Sequence, residues 1–260
     1  MRQSLHYYWR QYWHKFTHTS LVRAVVAPVL ASLPNRCLLC HQAIAHPGKG
    51  LCGFCLQACL YQQETCLGCG RQLTCSSDFC GSCQRLQPAR IVAPMSYHTL
   101  LGPWVAAIKY RRQFVAIPPL CKALLIRVNH LLALGYVRPV QALIPVPLHP
   151  NRLKARGFNQ ARVIATELGA ISGLPVLTDI LVRVRDTLPQ AGLDGRQRRH
   201  NMQHAFMLKQ CPAVFSVALI DDVVTTGETV REIITLLEAE GILVQVWCLA
   251  RAEAPELSAR

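Results

Sequence analysis

The stretch ALIDDVVTTGETV at residues 218–230 decides how the back half of this chain folds. It begins as an apolar run, places Asp221 and Asp222 side by side, and continues into a threonine-rich loop around Gly227. This order predicts a buried strand, a tight turn and the start of a helix. Adjacent carboxylates repel each other, so packing does not explain them and we expect a binding site here.

Apolar strands alternate with helical patterns on both sides of this stretch. The predicted strands are 90–97, 140–148, 214–220 and 243–250, and the predicted helices are 103–112, 118–135, 159–173 and 227–241. Such alternation is typical of a parallel sheet with helices on both faces. The sequence therefore predicts an α/β domain over residues 91–260, with the two aspartates at the carboxyl edge of its sheet.

That edge is where open α/β sheets bind ligands. The loop after the aspartates leads into a helix N-terminus, where free backbone N–H groups and the positive dipole end attract anions. Thr225, Thr226 and Thr229 add hydroxyl donors, whereas Asp221 and Asp222 suit the hydroxyl groups of a diol. A phosphate close to a diol describes a ribose 5-phosphate.

Charge is unevenly divided along the chain. Residues 1–150 contain 15 lysines and arginines against two acids, a balance of +13, and residues 151–260 have a balance of +1. A basic front part suggests a polyanionic partner, with solubilising charge as the alternative. No run of 18 apolar residues occurs, so we expect a cytoplasmic protein without a membrane span or cleaved signal peptide.

Eight of the 13 cysteines form four C-x-x-C pairs, a pattern typical of zinc ribbons. The pairs are Cys37/Cys40, Cys52/Cys55, Cys66/Cys69 and Cys80/Cys83. CLLCHQAIAH and CLGCGRQLTC begin 29 residues apart and resemble each other, which predicts two ribbons over 37–90, each with one zinc ion. A disulfide framework, a cross-braced pairing and a second site without metal stay open.

The other five cysteines fall into two groups. Cys59 and Cys75 lie beside the pairs and are candidate substitute ligands. Cys121, Cys211 and Cys248 are predicted to be small buried apolar residues.

Residues 1–36 are predicted to form a basic amphipathic helical segment. One face carries Leu5, Tyr8, Trp9, Tyr12, Trp13 and Phe16 at helical spacing. Through residues 5–16 such a helix suits an anionic membrane surface or the bases of single-stranded nucleic acid. The alternative that we favour is a helix docked on the body of the protein.

IDDVVTTGET resembles the phosphoribosyl-pyrophosphate (PRPP) loop of type I phosphoribosyltransferases. The resemblance implies that the two acids hold the ribose hydroxyls and that the loop amides hold the 5′-phosphate. The implied PRPP-binding residues are Asp221, Asp222, Val223, Val224, Thr225, Thr226, Gly227, Glu228 and Thr229. Many purine-using relatives have a third acid where Thr225 stands, so its absence speaks against simple purine salvage.

Further stretches resemble the ComF family of competence-associated proteins, to which the GntX-type proteins belong. They are IPVPLHPNRLKARGFNQA (144–161), RVRDTLPQAGLDGRQRRHNMQHAF (183–206) and the four C-x-x-C pairs. The resemblance spans about residues 37–251 and implies a zinc ribbon followed by a phosphoribosyltransferase-like domain. It also implies a link to natural transformation, to internalised single-stranded DNA and to the use of DNA as a nutrient.

The leading hypothesis is a PRPP-dependent transferase, or a PRPP-binding relative, in nucleotide or DNA metabolism. Arg152 and Arg156 would stabilise the departing pyrophosphate together with Mg²⁺, while Asp221 and Asp222 position the sugar. The acceptor is unknown. The polar segment 183–206 is predicted to be a lid, with a disordered loop as the alternative.

The second hypothesis is a non-catalytic protein that binds single-stranded DNA, contacts competence or recombination proteins, and keeps the α/β domain as a PRPP sensor. The charge asymmetry assigns the basic cluster Lys109, Arg111 and Arg112 to the DNA surface. We expect this cluster to face away from Asp221 and Asp222, with the alternative that Lys109 reaches the pyrophosphate.

Overall fold

The computed structural model describes residues 35–45, 48–186 and 205–253, except for the side chain of Arg111. The predicted segment 1–36 and the predicted lid lie almost wholly outside the described residues. The chain divides into two compact units, residues 1–52 and 53–260, which are described separately. The domain boundary near residue 90 stays a prediction.

The described part of the first unit is a small cysteine-rich turn. Arg36 and Ala43 form an antiparallel bridge, and the Cys37 N–H donates to the carbonyl of Gln42 at 2.9 Å. His41 takes a positive φ of 58°, which lets the chain reverse after Cys40. These local bonds give the knuckle that C-x-x-C spacing predicts.

The second unit contains the α/β domain. Its strands are β1 (Ile91–Val92), β2 (Ala142–Pro145), β3 (Leu181–Arg183), β4 (Phe206–Leu208), β5 (Ser216–Val224) and β6 (Leu243–Arg251). Its helices are α1 (Gly53–Cys59), α2 (Gly81–Leu86), α3 (Gly102–Arg111), α4 (Ile117–Ala133), α5 (Pro150–Arg156), α6 (Gln160–Ser172) and α7 (Glu228–Glu238). A 3₁₀ turn at Phe114–Ala116 precedes α4.

Four strands form a parallel sheet in the order β1-β6-β5-β2. Val217 and Leu219 of β5 share a buried cluster with Ile233 of α7. Ala218 and Ile220 alternate with them, point to the opposite face, and are equally buried where α6 packs. Helices therefore cover both faces, which confirms the predicted α/β architecture.

Two strand predictions differ from the structure. The predicted strand 90–97 contains only the two residues of β1, because Pro94 lacks the N–H that a continuing ladder needs. The strand predicted at 214–220 extends to Val224, so Asp221 and Asp222 lie inside β5 near its carboxyl end. Strands β3 and β4 pair antiparallel at the two ends of the predicted lid.

The stretch Phe114–Ala133 is long and apolar enough to cross a membrane by length and composition. It contains α4, whose Leu120, Leu124 and Leu131 are buried. The helix packs against α6 and the sheet. Core packing accounts for the apolar residues of this helix.

Candidate functional site

The eight paired cysteines converge into two clusters. Within each cluster the four sulfur atoms lie within 4.8 Å of one another. The first cluster is Cys37, Cys40, Cys52 and Cys55, and the second is Cys66, Cys69, Cys80 and Cys83. Consecutive pairs combine, so the ribbons are not cross-braced. In the described part of the chain, Cys59 and Cys75 belong to neither cluster.

Each cluster has the dimensions of a tetrahedral zinc site. The sulfur atoms of Cys40 and Cys52 are 3.8 Å apart, as are those of Cys69 and Cys80. Zinc–sulfur bonds of about 2.3 Å place neighbouring sulfurs at this separation. The backbone N–H of Cys80 also donates to the sulfur of Cys66 at 3.2 Å. The two clusters therefore fit structural zinc.

The thiols of the second cluster differ in acidity. A hydrogen bond with Cys69 lowers the pKa of Cys66 to about 4, and burial raises the pKa of Cys83 to about 12. One thiolate is thus ready for a metal ion, and binding releases protons from the other thiols.

The remaining cysteines follow the sequence prediction in two of three cases. Cys121 and Cys248 are buried, and their thiols donate to backbone carbonyls. Cys211 is exposed, so its predicted burial is wrong. It lies on the surface after β4, where its side chain has no core to pack against.

The carboxyl edge of the parallel sheet opens into a cleft of ≈ 890 Å³. Its walls come from α3, from α5 and the start of α6, and from the end of β5. Its charged lining residues are Asp221, Asp222, Lys109, Arg112, Arg152, Arg156 and Arg183. Among the described residues, five cations and two acids therefore face one space. This lining suits a ligand with several negative charges and with hydroxyl groups.

Asp221 and Asp222 reach the cleft from β5. The backbone N–H of Asp222 donates to Oδ1 of Asp221 at 2.9 Å. Desolvation raises the pKa of Asp221 well above its ordinary value, the Asp222 charge raises it further, and the Lys109 charge opposes this shift. A ligand that brings hydroxyl donors or a cation relieves this unfavourable charge pair.

Asp221→Asn is expected to raise the melting temperature of the ligand-free protein at neutral pH. Because folding raises the pKa of Asp221, ionising it costs the folded state free energy. This cost is absent below the unfolded pKa, about 3.9, and grows as the pH rises above it. Calorimetry should show that the melting temperature of the variant exceeds that of wild type by a margin that grows from acid to neutral pH. A margin that shrinks over this range would contradict the raised pKa of Asp221.

The loop after β5 presents the N-terminus of α7. Gly227 precedes the helix with a φ of +79°, a conformation that favours glycine. A helix N-terminus attracts anions through its backbone N–H groups and its positive dipole end. Of the predicted loop residues, Val223, Thr225 and Thr229 line the cleft, whereas Val224, Thr226, Gly227 and Glu228 are outside its lining.

The basic side of the cleft is held by specific contacts. Arg156 donates from Nη1 to Oε1 of the buried Gln160 at 2.6 Å. Arg112 donates from Nη2 to the carbonyl of Arg156 at 3.0 Å. Gly157 has a φ of +82°, which favours glycine, and a Cβ there would lie 2.8 Å from that Nη2 atom, so Arg112 would have to shift.

Lys109 and Arg112 line the cleft together with the aspartates. The expectation that this cluster faces away from Asp221 and Asp222 is therefore wrong for both of these residues. Arg112 directly follows α3 with a positive φ of 54°, and its side chain bonds to the last residue of α5. Helical spacing alone does not reveal that contact.

Arg152 is fixed by an acid at the end of the β3 segment. Its Nε lies 3.9 Å from Asp186, which also accepts a hydrogen bond from Asn151 at 2.7 Å. The hydrogen bond from Asn151, followed by the charges of His149 and Arg152, lowers the pKa of Asp186. These contacts join α5 to the residue that immediately precedes the undescribed part of the predicted lid.

Sequence reasoning missed several lining residues, above all Arg183. Its side chain is buried, lies over the ring of Phe206 at 5.5 Å, and has a pKa lowered to about 10 by burial and by Arg152. A signal existed in the sequence, since the apolar and basic alternation LVRVR at 181–185 is a strand pattern. Tyr97 and Phe158, which also line the cleft, carry no comparable signal.

The parallel sheet, the acidic pair near the end of β5 and the two cysteine clusters define a class of protein. It is an α/β protein with an acidic pair near the carboxyl edge of a parallel sheet, preceded in the chain by two four-cysteine clusters that fit structural zinc. Competence protein F of Haemophilus influenzae is 34% identical over 223 residues, which cover 84% of this chain and 97% of that protein. The chain belongs to the ComF family of competence-associated proteins.

Other relatives match over a similar length of the chain. DNA utilization protein YhgH of Escherichia coli K12 is 32% identical over 225 residues, covering 85% of this chain and 99% of that protein. The YhgH protein of Salmonella typhimurium matches with the same identity and coverage. No family model matches the chain. Adenine phosphoribosyltransferase of Leishmania donovani superposes with a TM-score of 0.29 and 17% identity, over 52% of this chain and 67% of that one.

Proposed function

We propose that this protein binds PRPP with Mg²⁺ in the cleft and transfers its phosphoribosyl group to an acceptor. The supporting observation is the convergence of an acidic pair, a helix N-terminus and five cations on one space. PRPP carries a diol, a phosphate and a pyrophosphate, and each has a complementary partner there.

Each part of the cleft has a distinct task in this proposal. Asp221 and Asp222 accept hydrogen bonds from the ribose hydroxyls, and the first turn of α7 holds the 5′-phosphate. As the bond from C1 to pyrophosphate breaks, Arg152 and Arg156, joined by Arg112, stabilise the negative charge on the leaving group. The aspartates stabilise the positive charge that develops on the sugar.

Magnesium fits this site because the carboxylates of Asp221 and Asp222 lie side by side at the cleft, and hard divalent cations prefer carboxylate oxygens. When bound with PRPP, Mg²⁺ would neutralise negative charge on the pyrophosphate oxygens. Residue 225 is a threonine, so no carboxylate at this position takes a proton from the acceptor. An acceptor whose nucleophile needs no deprotonation by residue 225 fits best.

The process in which the protein acts is inferred from its relatives, which are named for competence and for DNA utilization. We place this protein in the same process in the cytoplasm, close to single-stranded DNA or its breakdown products. The +13 balance of residues 1–150 supports a polyanionic partner.

The test combines thermal shift and turnover. Purified protein is incubated with PRPP, Mg²⁺ and a panel of nucleobases while pyrophosphate release and melting temperature are followed. A higher melting temperature with pyrophosphate release supports the transferase. A higher melting temperature without release supports a PRPP sensor instead, and no change at millimolar PRPP rejects PRPP as the ligand.

Lys109→Gln/Arg112→Gln is expected to weaken PRPP binding. Each charge-assisted hydrogen bond contributes about 1.5–3 kcal/mol, so Kd should rise about tenfold or more. The matched control is Lys122→Gln/Lys209→Gln, which removes two exposed charges outside the cleft lining. Isothermal titration with Mg²⁺–PRPP measures both. Equal Kd values for the two double variants would show that Lys109 and Arg112 do not bind PRPP.

A further inference from the structure

Arg251, the last residue of β6, lies between the second cysteine cluster and the wall of the cleft. Its side chain is buried, with 7% of its surface exposed, and its Nη2 donates to the carbonyl of Gly68 at 3.0 Å. Gly68 is part of the turn from Cys66 to Cys69 that presents two of the four thiols. The guanidinium group therefore reaches the metal-binding turn directly.

The other buried nitrogen atoms of this guanidinium group lack a hydrogen-bond partner and a counter-ion among the described residues. Nε and Nη1 are buried without a hydrogen-bond partner, and no described carboxylate forms an ion pair with Arg251. A buried cation is costly unless a negative charge lies near it. Four thiolates around one divalent metal ion leave such a negative charge.

Close packing ties Arg251 to this cluster. A Cβ at Gly70 would lie 2.9 Å from Cγ of Arg251, and a Cβ at Gly68 would lie 2.9 Å from the sulfur of Cys83. Two glycines thus let the arginine and the thiols approach the same short turn. A side chain at Gly70 would push Arg251 away from the turn, and a side chain at Gly68 would push Pro88 and Cys83 away from it.

The backbone of Arg251 forms hydrogen bonds next to the wall of the cleft. Its N–H donates to the carbonyl of Met95 at 3.0 Å, and its carbonyl accepts from the N–H of Tyr97 at 2.7 Å. The N–H of Ala252 donates to the carbonyl of Val224 at 2.9 Å. Tyr97 and Ala252 both line the cleft. One residue therefore touches the metal-binding turn with its side chain and the cleft wall with its backbone.

We propose that Arg251 couples metal occupancy of the second cluster to the order of the cleft wall. Its guanidinium group is the buried counter-ion of the metal–thiolate centre and orients the turn at Gly68. Its backbone holds Tyr97 and Ala252 in place. Arg251 is a positioning residue, and the coupling holds whichever anion the cleft binds.

The first test compares Arg251→Met with a matched variant. Arg90→Met removes a cation from the same ribbon, where Arg90 pairs with Asp78 at 2.9 Å and lies over Phe79, but its side chain is 45% exposed. Zinc release to a chromogenic chelator is followed in each full-length protein. In Arg251→Met one of the two zinc ions should leave about tenfold faster or more, because outer-shell partners control metal affinity to this extent.

Arg90→Met should release both ions at the wild-type rates. Arg251→Lys keeps the charge without the planar fork, so its release rate should fall between those of wild type and Arg251→Met. Wild-type release from Arg251→Met overturns the counter-ion role. If Arg251→Met does not fold, Arg251→Lys decides, and wild-type release from that variant overturns the role of the guanidinium fork.

The second test needs no substitution and no activity. Amide hydrogen exchange is compared in wild-type protein with zinc and after chelation, under conditions in which the amides of α6 stay protected. The amides of Tyr97 and Ala252 should lose protection when zinc is removed. Unchanged protection at both amides overturns the coupling even if PRPP binds, and lost protection supports it even if PRPP does not bind.

Discussion

Cys66→Ser is expected to lower the melting temperature of the α/β domain far more than Cys37→Ser does. The second cluster belongs to the same compact unit as the sheet, whereas Cys37 belongs to the first. The N–H of Ile91 in β1 donates to the carbonyl of Leu67 at 2.8 Å. Glu64 also pairs with Arg127 of α4 at 3.0 Å. Loss of metal at the second cluster therefore loosens contacts that hold the sheet.

The expected size follows from the energetics of structural zinc. Loss of a structural metal is among the few changes that cost more than about 4 kcal/mol. For a unit of this length that corresponds to a fall of roughly 10 °C or more. Cys37→Ser should disorder the first ribbon and leave the main calorimetric transition almost in place.

Calorimetry with zinc analysis measures both effects, and Cys75→Ser is the matched control. Cys75 is an exposed cysteine of the second ribbon outside its cluster, so its loss should change neither zinc content nor melting temperature. If Cys37→Ser and Cys66→Ser lower the melting temperature equally, the two clusters stabilise the domain to the same degree. Freshly purified protein without zinc would contradict both metal sites.

The parts that sequence predicted well are those in which spacing fixes geometry. Two C-x-x-C knuckles separated by about ten residues have few ways to share one ion, and both clusters formed as the pairs indicate. An apolar run followed by a threonine-rich turn and an amphipathic segment gave β5 and α7. Local chemistry decides these elements, so a single sequence contains the information.

The placement of α3 was not predictable in this way. A Cβ at Gly102 would lie 1.8 Å from the carbonyl oxygen of Tyr97, so the helix can begin beside Tyr97 only because residue 102 is glycine. That contact brings Lys109 and Arg112 to the cleft. Net charge along the sequence assigned these residues to another surface, because charge counts carry no information about direction.

Asp221→Asn/Asp222→Asn is expected to abolish the PRPP-dependent rise in melting temperature. Each carboxylate accepts hydrogen bonds from a ribose hydroxyl better than an amide oxygen does, because its oxygens are charged. Two such bonds at about 1.5 kcal/mol or more each correspond to a Kd about 100-fold higher. The substitution keeps the size of both side chains, so the shape of the cleft is preserved.

The stability of the double variant makes this test decisive. Because burial and mutual repulsion raise the pKa of Asp221, neutralising the pair should stabilise the ligand-free fold. Lost binding therefore cannot be attributed to unfolding. Glu238→Gln/Glu240→Gln is the matched control, since it neutralises two exposed acids near the other end of α7, outside the cleft lining. If the Asp221→Asn/Asp222→Asn variant keeps the wild-type shift with PRPP, the acidic pair has no part in binding ribose and the proposed orientation of PRPP is wrong.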